Sequence, residues 1–290
     1  MLESQNPILS PELRIKDDRP LIPTPKACFW AIFFSMHLKT SFAVHTKLIR
    51  GLSWFFTCFF VLLTQPAFSQ GVTFKDNMAE RTRACTACHG EQGKAGPDGY
   101  YPRLAGKPSG YLFNQLKNFQ EGRRHYNLMT RLVDPLSDAY LLEMADYFAN
   151  LKLPYPPAAR PSERVSQRIL LAGKKLALEG DSTRNVPACS TCHGAQLTGI
   201  QPNVPGLLGL PLDYLNAQLG AWQTHQRKAA APDCMSDIVQ GLTSEDLVAV
   251  STWLSTQNVP LNAAPAKQIS VPLKAPWRCG SAPELSKAQP

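Results

Sequence analysis

Hydrophobic positions in the chain recur at helical spacing in four places. After Ser109, Leu112, Leu116 and Phe119 share one face, which predicts a helix capped by that serine. After Ser137, Leu141, Met144, Ala145 and Phe148 form a second stripe. A third runs through Val165, Ile169, Ala172 and Leu176, with Ser162 as its cap and Gly180 as its stop. The fourth opens with Thr243-Ser244-Glu245-Asp246, which reads as a capping box, and buries Leu247, Val250 and Leu254. Beyond residue 69 no hydrophobic stretch alternates convincingly at period two, so few strands are expected and the fold class is all-α.

The stripes belong to a tandem repeat. Leu104-x-Gly106-x-Pro108-x-x-Tyr111-Leu112 matches Leu207-x-Gly209-x-Pro211-x-x-Tyr214-Leu215 at an offset of 103. Gln115, Leu116 and Phe119 continue the match onto Gln218, Leu219 and Trp222. Met129, Leu136, Tyr147 and Pro154 then match Met235, Leu242, Trp253 and Pro260 at an offset of 106. The chain therefore divides into a targeting segment over 1–69, a first domain over 70–156, a Pro-rich linker over 157–162, a second domain over 163–260 and a tail over 261–290. Pro154, Pro156, Pro157 and Pro161 stiffen the join. From Leu261 onward the tail shows no clear period.

The N-terminal segment reads as an export signal. Lys47 and Arg50 form a basic start, Gly51 to Thr64 is short and strongly apolar, and Ala67-Phe68-Ser69 offers small residues for cleavage before Gln70. The apolar part is nearer 14 residues than the roughly 20 of a spanning helix, so cleavage is favoured over a retained anchor, and the expected location is the periplasm. Association with a membrane is the alternative. The Pro-rich first 35 residues carry charges of both signs and Met36 opens a more conventional signal, which suggests an upstream start-codon assignment.

Charge changes the picture little. The formal net charge is +8, of which residues 1–69 carry +3, and no basic stripe accompanies it, so nucleic acid is not an expected partner. Cysteine changes it more. Of eight cysteines, Cys28 and Cys58 lie in the targeting segment and four sit in two pentapeptides, leaving Cys234 and Cys279. An even remainder in an exported chain suggests a disulfide.

The two pentapeptides are Cys85-Thr86-Ala87-Cys88-His89 and Cys189-Ser190-Thr191-Cys192-His193, both C-x-x-C-H, the attachment signature of a c-type haem. Residues three and four apart share a helix face, so two thiols reach two vinyl groups while the imidazole comes beneath the iron. Zinc modules place their cysteine pairs about 15–20 residues apart, whereas these begin 104 apart, and a thioredoxin-like site needs a βαβ pattern that is missing. Two covalent haem c groups are the expected cofactors, with His89 and His193 as proximal ligands.

Each iron then needs a distal group. Met129 and Met235 follow the two histidines by 40 and 42 residues at matched repeat positions, each in a stretch read as irregular before the last helix of its repeat. A thioether there favours ferrous iron and raises the potential. His125 and His225 compete but do not align under either offset, and a Cys234 thiolate beside Met235 is a third alternative.

With these residues the chain resembles the dihaem class I cytochromes c, most closely cytochrome c4, over about Thr73 to Pro260. The resemblance implies two small α-helical domains and an electron carrier rather than an enzyme. It also implies that the Pro102 and Pro205 carbonyls accept hydrogen bonds from the proximal imidazoles. Implied partners are redox proteins: a quinol–cytochrome c oxidoreductase, a terminal oxidase or reductase, or a dehydrogenase. The chain departs from the family in the Cys234/Cys279 pair and the long tail. A dihaem enzyme, sulfur-oxidising or peroxidase-like, or a cytochrome subunit of a periplasmic dehydrogenase is the alternative, and either enzyme needs an open or thiolate-bound iron.

Overall fold

The computed structural model describes residues 75–269, 273 and 276–286. The targeting segment over 1–69, with Cys28, Cys58 and the cleavage site, lies outside the described residues. In the first half, α1 (Met78–Arg81) and α2 (Arg83–His89) lead to α3 (Ser109–Gln120), α4 (Asn127–Val133) and α5 (Asp138–Asn150). In the second half, α6 (Gln167–Leu178) and α7 (Cys189–His193) precede a minimal antiparallel hairpin of β1 (Gly199–Ile200) and β2 (Val204–Pro205). Then come α8 (Leu212–Gln223), α9 (Cys234–Gln240) and α10 (Ser244–Ser255).

Helix α5 follows its sequence. The Ser137 side chain accepts from the Tyr140 amide, and Leu141, Met144, Ala145 and Phe148 are all buried. A fully buried leucine such as Leu141 contributes roughly 1.5–3 kcal/mol. Met144 and Leu141 pack with Phe119 of α3 and Val133 of α4, while Ala145 and Phe148 pack with Leu112. In α10 the Thr243/Asp246 capping box is present, and Leu247, Val250 and Leu254 are buried.

Two helix starts differ from the sequence reading. Pro108, not Ser109, occupies the N-cap of α3, and the Ser109 hydroxyl donates instead to the Asp146 carboxylate of α5. The third stripe starts at Ser166, whose side chain accepts from the Ile169 amide, while Ser162 forms a separate turn through Arg164 and Val165. Its buried face is Gly173, Leu176 and Ala177, and Ala172 is exposed. Gly173 explains the shift. A Cβ there would stand 2.1 Å from the Ala249 carbonyl oxygen, so α6 and α10 meet almost backbone to backbone.

The Pro-rich join is held rather than loose. The buried Arg103 guanidinium donates to the Leu153 and Pro154 carbonyls at 2.6 and 3.0 Å and stacks on Tyr155 at 4.0 Å. The tail is also packed despite lacking a period. Ala266 bridges Ile200, and Ile269, Cys279, Ala282 and Leu285 are buried with Cys192, Ile200 and Val204.

Candidate haem sites

Both C-x-x-C-H motifs are helical, so each sets its cysteines and histidine on one face. Both helices stop at the next residue. Gly90 and Gly194 take φ +75 and +86, a region that L side chains rarely adopt, and a Cβ at Gly90 would lie 2.4 Å from the Ala95 carbonyl oxygen. That sharp turn sends the chain back under the histidine. His89 Nδ1 then donates to the Pro102 carbonyl at 2.7 Å, and His193 Nδ1 donates to the Pro205 carbonyl at 2.8 Å.

A carbonyl only accepts, so the proton sits on Nδ1 and the Nε2 lone pair of each ring is free. Burial pushes both imidazoles below their ordinary pKa, against the opposing pull of the proline carbonyls. Neutral rings with a free nitrogen are the form that binds metal. Tyr101 meets His89 edge-on, with ring centroids 6.1 Å apart, and its hydroxyl lies 3.2 Å from that of Tyr126.

Cys85, Cys88, Cys189 and Cys192 form no disulfide, which leaves all four sulfurs to the thioether bonds that the two motifs call for. Burial pushes Cys189 and Cys192 up to about 11, so neither is a poised thiolate of the redox-active kind. In the second half Cys192, His193, Pro205 and Met235 line one cavity of about 130 Å³. Cys189 packs against the neighbouring core of α6, α8 and α10. In the first half Cys85 packs beside Leu112 and Phe148, and Met129 beside Phe119, Leu141 and Met144; Phe113 touches both groups.

Met129 and Met235 lie on α4 and α9, short helices rather than the irregular stretches expected. Their sequences are too brief to display a period. His125 and His225, the competing ligands, are exposed in the connections after α3 and α8. Cys234 is bonded to Cys279, with Cα atoms 5.0 Å apart, so its thiolate is not free to bind iron.

Sequence reasoning missed a group of cations between the halves. Arg124 donates to Gln115 and Gln218 at 3.2 and 2.8 Å, and Arg227 donates to the same two oxygens at 2.9 and 2.6 Å. Arg124 lies over Phe119 and Arg227 over Trp222, completing a twofold pattern. Arg124 and Arg227 are 103 apart, the repeat offset that could have found them. Lys107 is buried against Tyr111 and lines the same cavity as Arg227.

Among the described residues none of these three cations has a carboxylate partner, and Arg227 Nε is buried without a hydrogen-bond acceptor. Buried charge of one sign is costly unless something compensates it. Haem propionates are such counter-ions, so the residues present fit the group.

No protein-family model matches the chain. The thiosulfate dehydrogenase electron acceptor of Thiomonas intermedia is 36% identical over 185 residues, covering 63% of this chain and 83% of that protein. Cytochrome c4 of Pseudomonas aeruginosa is 30% identical over 176 residues, covering 60% and 84%. The crystal structure of reduced recombinant cytochrome c4 from Pseudomonas stutzeri superposes with a TM-score of 0.53 at 28% identity, covering 62% of this chain and 97% of that one. Sequence, helical fold and these relatives agree: the chain belongs to the cytochrome c4 family of dihaem class I cytochromes c, and is an electron-transfer protein with two covalent haem c groups and redox partners.

Proposed function

We propose that the chain is an exported electron relay whose two irons are closed on both sides by its own side chains. Cys85 and Cys88 hold the first haem and Cys189 and Cys192 the second. His89 and Met129 ligate the first iron, and His193 and Met235 the second. The carrying observation is the single cavity that gathers Cys192, His193, Pro205 and Met235. When bound, each haem supplies a reversible one-electron Fe(III)/Fe(II) couple.

The chain's part is orientation and exclusion. The Pro102 and Pro205 carbonyls fix the imidazole planes and increase their basicity. Thioether sulfur, soft and neutral, favours the ferrous form. Lys107, Arg124 and Arg227 would offset the propionates, and the bonds of both arginines to Gln115 and Gln218 tie the two halves together. The domain division is 70–156 and 163–260, supported by the separate helical cores of the two halves, and the tail belongs physically with the second.

Export through residues 1–69 places the relay in the periplasm. Among the described residues no helix is long and apolar enough to cross a membrane. The donor is a periplasmic dehydrogenase of the thiosulfate-oxidising class, a reading supported by the Thiomonas relative, and the acceptor is a terminal oxidase or reductase. A quinol–cytochrome c oxidoreductase as donor is the second reading, favoured by the likeness to cytochrome c4.

Stopped-flow mixing of the oxidised holoprotein with each purified donor separates the two. Thiosulfate dehydrogenase and thiosulfate should reduce both haems at a rate that rises with protein concentration. No reduction by that pair, with rapid reduction by the quinol enzyme, would reassign the donor.

A further inference from the structure

The two proposed ligand helices are alike in length but not in how they are held. Helix α4, carrying Met129, is fastened within its own half. Gln120 Nε2 donates to the Val133 and Leu136 carbonyls, both at 2.8 Å, closing the end of the helix against α3. Helix α9, carrying Met235, is capped by Asp233, which accepts from the Ala229 and Ser236 amides at 2.6 and 3.2 Å and from Trp222 Nε1 at 3.3 Å. The ties at its far end are longer than those of α4. Gln223 Nε2 reaches the Leu242 carbonyl at 3.3 Å, and Gln240 Nε2 reaches the Trp222 and Gln223 carbonyls at 3.2 Å. A seven-residue helix has too few internal bonds to hold its shape unaided.

What α9 has in addition is covalent. Its first residue, Cys234, is bonded to Cys279 of the tail, 45 positions away in sequence. The tail is then fixed on several sides. The Gly280 amide donates to the Pro232 carbonyl at 2.9 Å, just before α9, and a Cβ on Gly280 would lie 2.1 Å from the Ala231 carbonyl oxygen. Asn114 of α3 donates to the Ser281 carbonyl at 3.1 Å, and Asn203 donates to Glu284 at 3.0 Å.

Cys279, Ala282 and Leu285 line the cavity that also holds Met235 and His193, and they pack in the same cluster as Cys192. The tail therefore touches both the attachment side and the ligand side of the second site. Its cover is unequal between the halves: Cys192 is buried, whereas its counterpart Cys88 is only half-buried.

On the reading of Met235 as distal ligand, we infer that the Cys234–Cys279 bridge makes the tail a clamp that positions Met235 on the second iron. Without the bridge the start of α9 is held to the tail only by weaker contacts, and the thioether leaves the iron for part of the time. The first iron has no such dependence. Cys234 and Cys279 are thus positioning residues that act through Met235, and the tail is part of the second haem site.

The test uses the full-length holoprotein with Cys234→Ala and Cys279→Ala together, which leaves no free thiol beside the iron. In the ferrous state the native protein should show two upfield-shifted axial methionine methyl signals by proton NMR and bind no carbon monoxide. The double variant should lose or broaden one methyl signal and bind up to one equivalent of carbon monoxide. Both methyl signals intact, with no carbon monoxide bound, would overturn the clamp.

Should the variant fail to accumulate, the native ferrous protein treated with dithiothreitol under carbon monoxide gives the same two readings. Met235→Ala separates the layers. If it leaves the second iron closed, the ligand assignment is wrong. If it opens that iron and loss of the bridge does not, the ligand assignment stands and the clamp falls.

Discussion

Gly173→Val lowers the stability of the second half by about 3 kcal/mol or more, whereas Gly220→Ala, also within a helix, leaves it unchanged or up to about 1 kcal/mol higher. The contrast comes from what each side chain would meet. At Gly173 the first added carbon collides with backbone, 2.1 Å from the Ala249 carbonyl oxygen and 2.6 Å from its carbon, and lies 2.8 Å from Trp253 Cβ. Backbone cannot swing aside as a side chain can, so α6 and α10 must separate, pulling Leu176 and Ala177 away from Val250 and Leu254. Overpacking of this kind costs about 1–3 kcal/mol in ordinary cores and more where the obstacle is rigid.

Gly220 lies in α8 with nothing within 4 Å, so alanine there gains helix propensity without a clash. Domains have only about 5–15 kcal/mol in total, so the first change is a large fraction of the whole. Denaturant midpoints at constant slope measure both. A midpoint for Gly173→Val within experimental error of the native value would show that the two helices do not meet as closely as described.

Met129→His lowers the potential of the first haem by on the order of 0.2 V, within the roughly 0.8 V span that axial ligation covers, and leaves the second nearly unchanged. Thioether sulfur stabilises ferrous iron, and imidazole stabilises ferric iron better. Met129 packs among Phe119, Val133 and Leu141 in a core that Met235 does not share, so the substitution should act on one haem only. Potentiometric titration should show two one-electron waves with one displaced. If both waves keep their native positions, Met129 is not a ligand and its place in the core is packing alone.

The residues read correctly from sequence are those whose roles are local. The Ser137 cap with its buried stripe and the Thr243 capping box each carry their information within a few positions. What was misread depends on partners far along the chain. Ser162 and Ser166 both stand three residues before a β-branched aliphatic residue, and only the packing of α6 on α10 selects the second. Ala172 looked like a core residue and Gly173 like nothing, because a close approach of backbones leaves no hydrophobic trace.

Arg124 and Arg227 were missed for a related reason. Arginine is ordinarily a surface residue, and the burial of Arg227 and the shared glutamine partners of both follow from two repeats meeting face to face. The even pair of cysteines pointed to a disulfide, but that it would tie the ligand helix to the tail could not be read from the count. Nor could the burial of the tail, whose Cys279, Ala282 and Leu285 stand three apart over a run too short to predict an element.

The most direct test is carbon monoxide added to the dithionite-reduced native holoprotein, followed through the Soret band. Two irons closed by chain residues predict an unchanged ferrous spectrum at saturating gas, with a ferric form that is low-spin and carries a sulfur-to-iron charge-transfer band. Uptake of one or two equivalents, or a high-spin ferric signal at either haem, would mean an open iron, and would contradict the account of this chain as a closed electron relay.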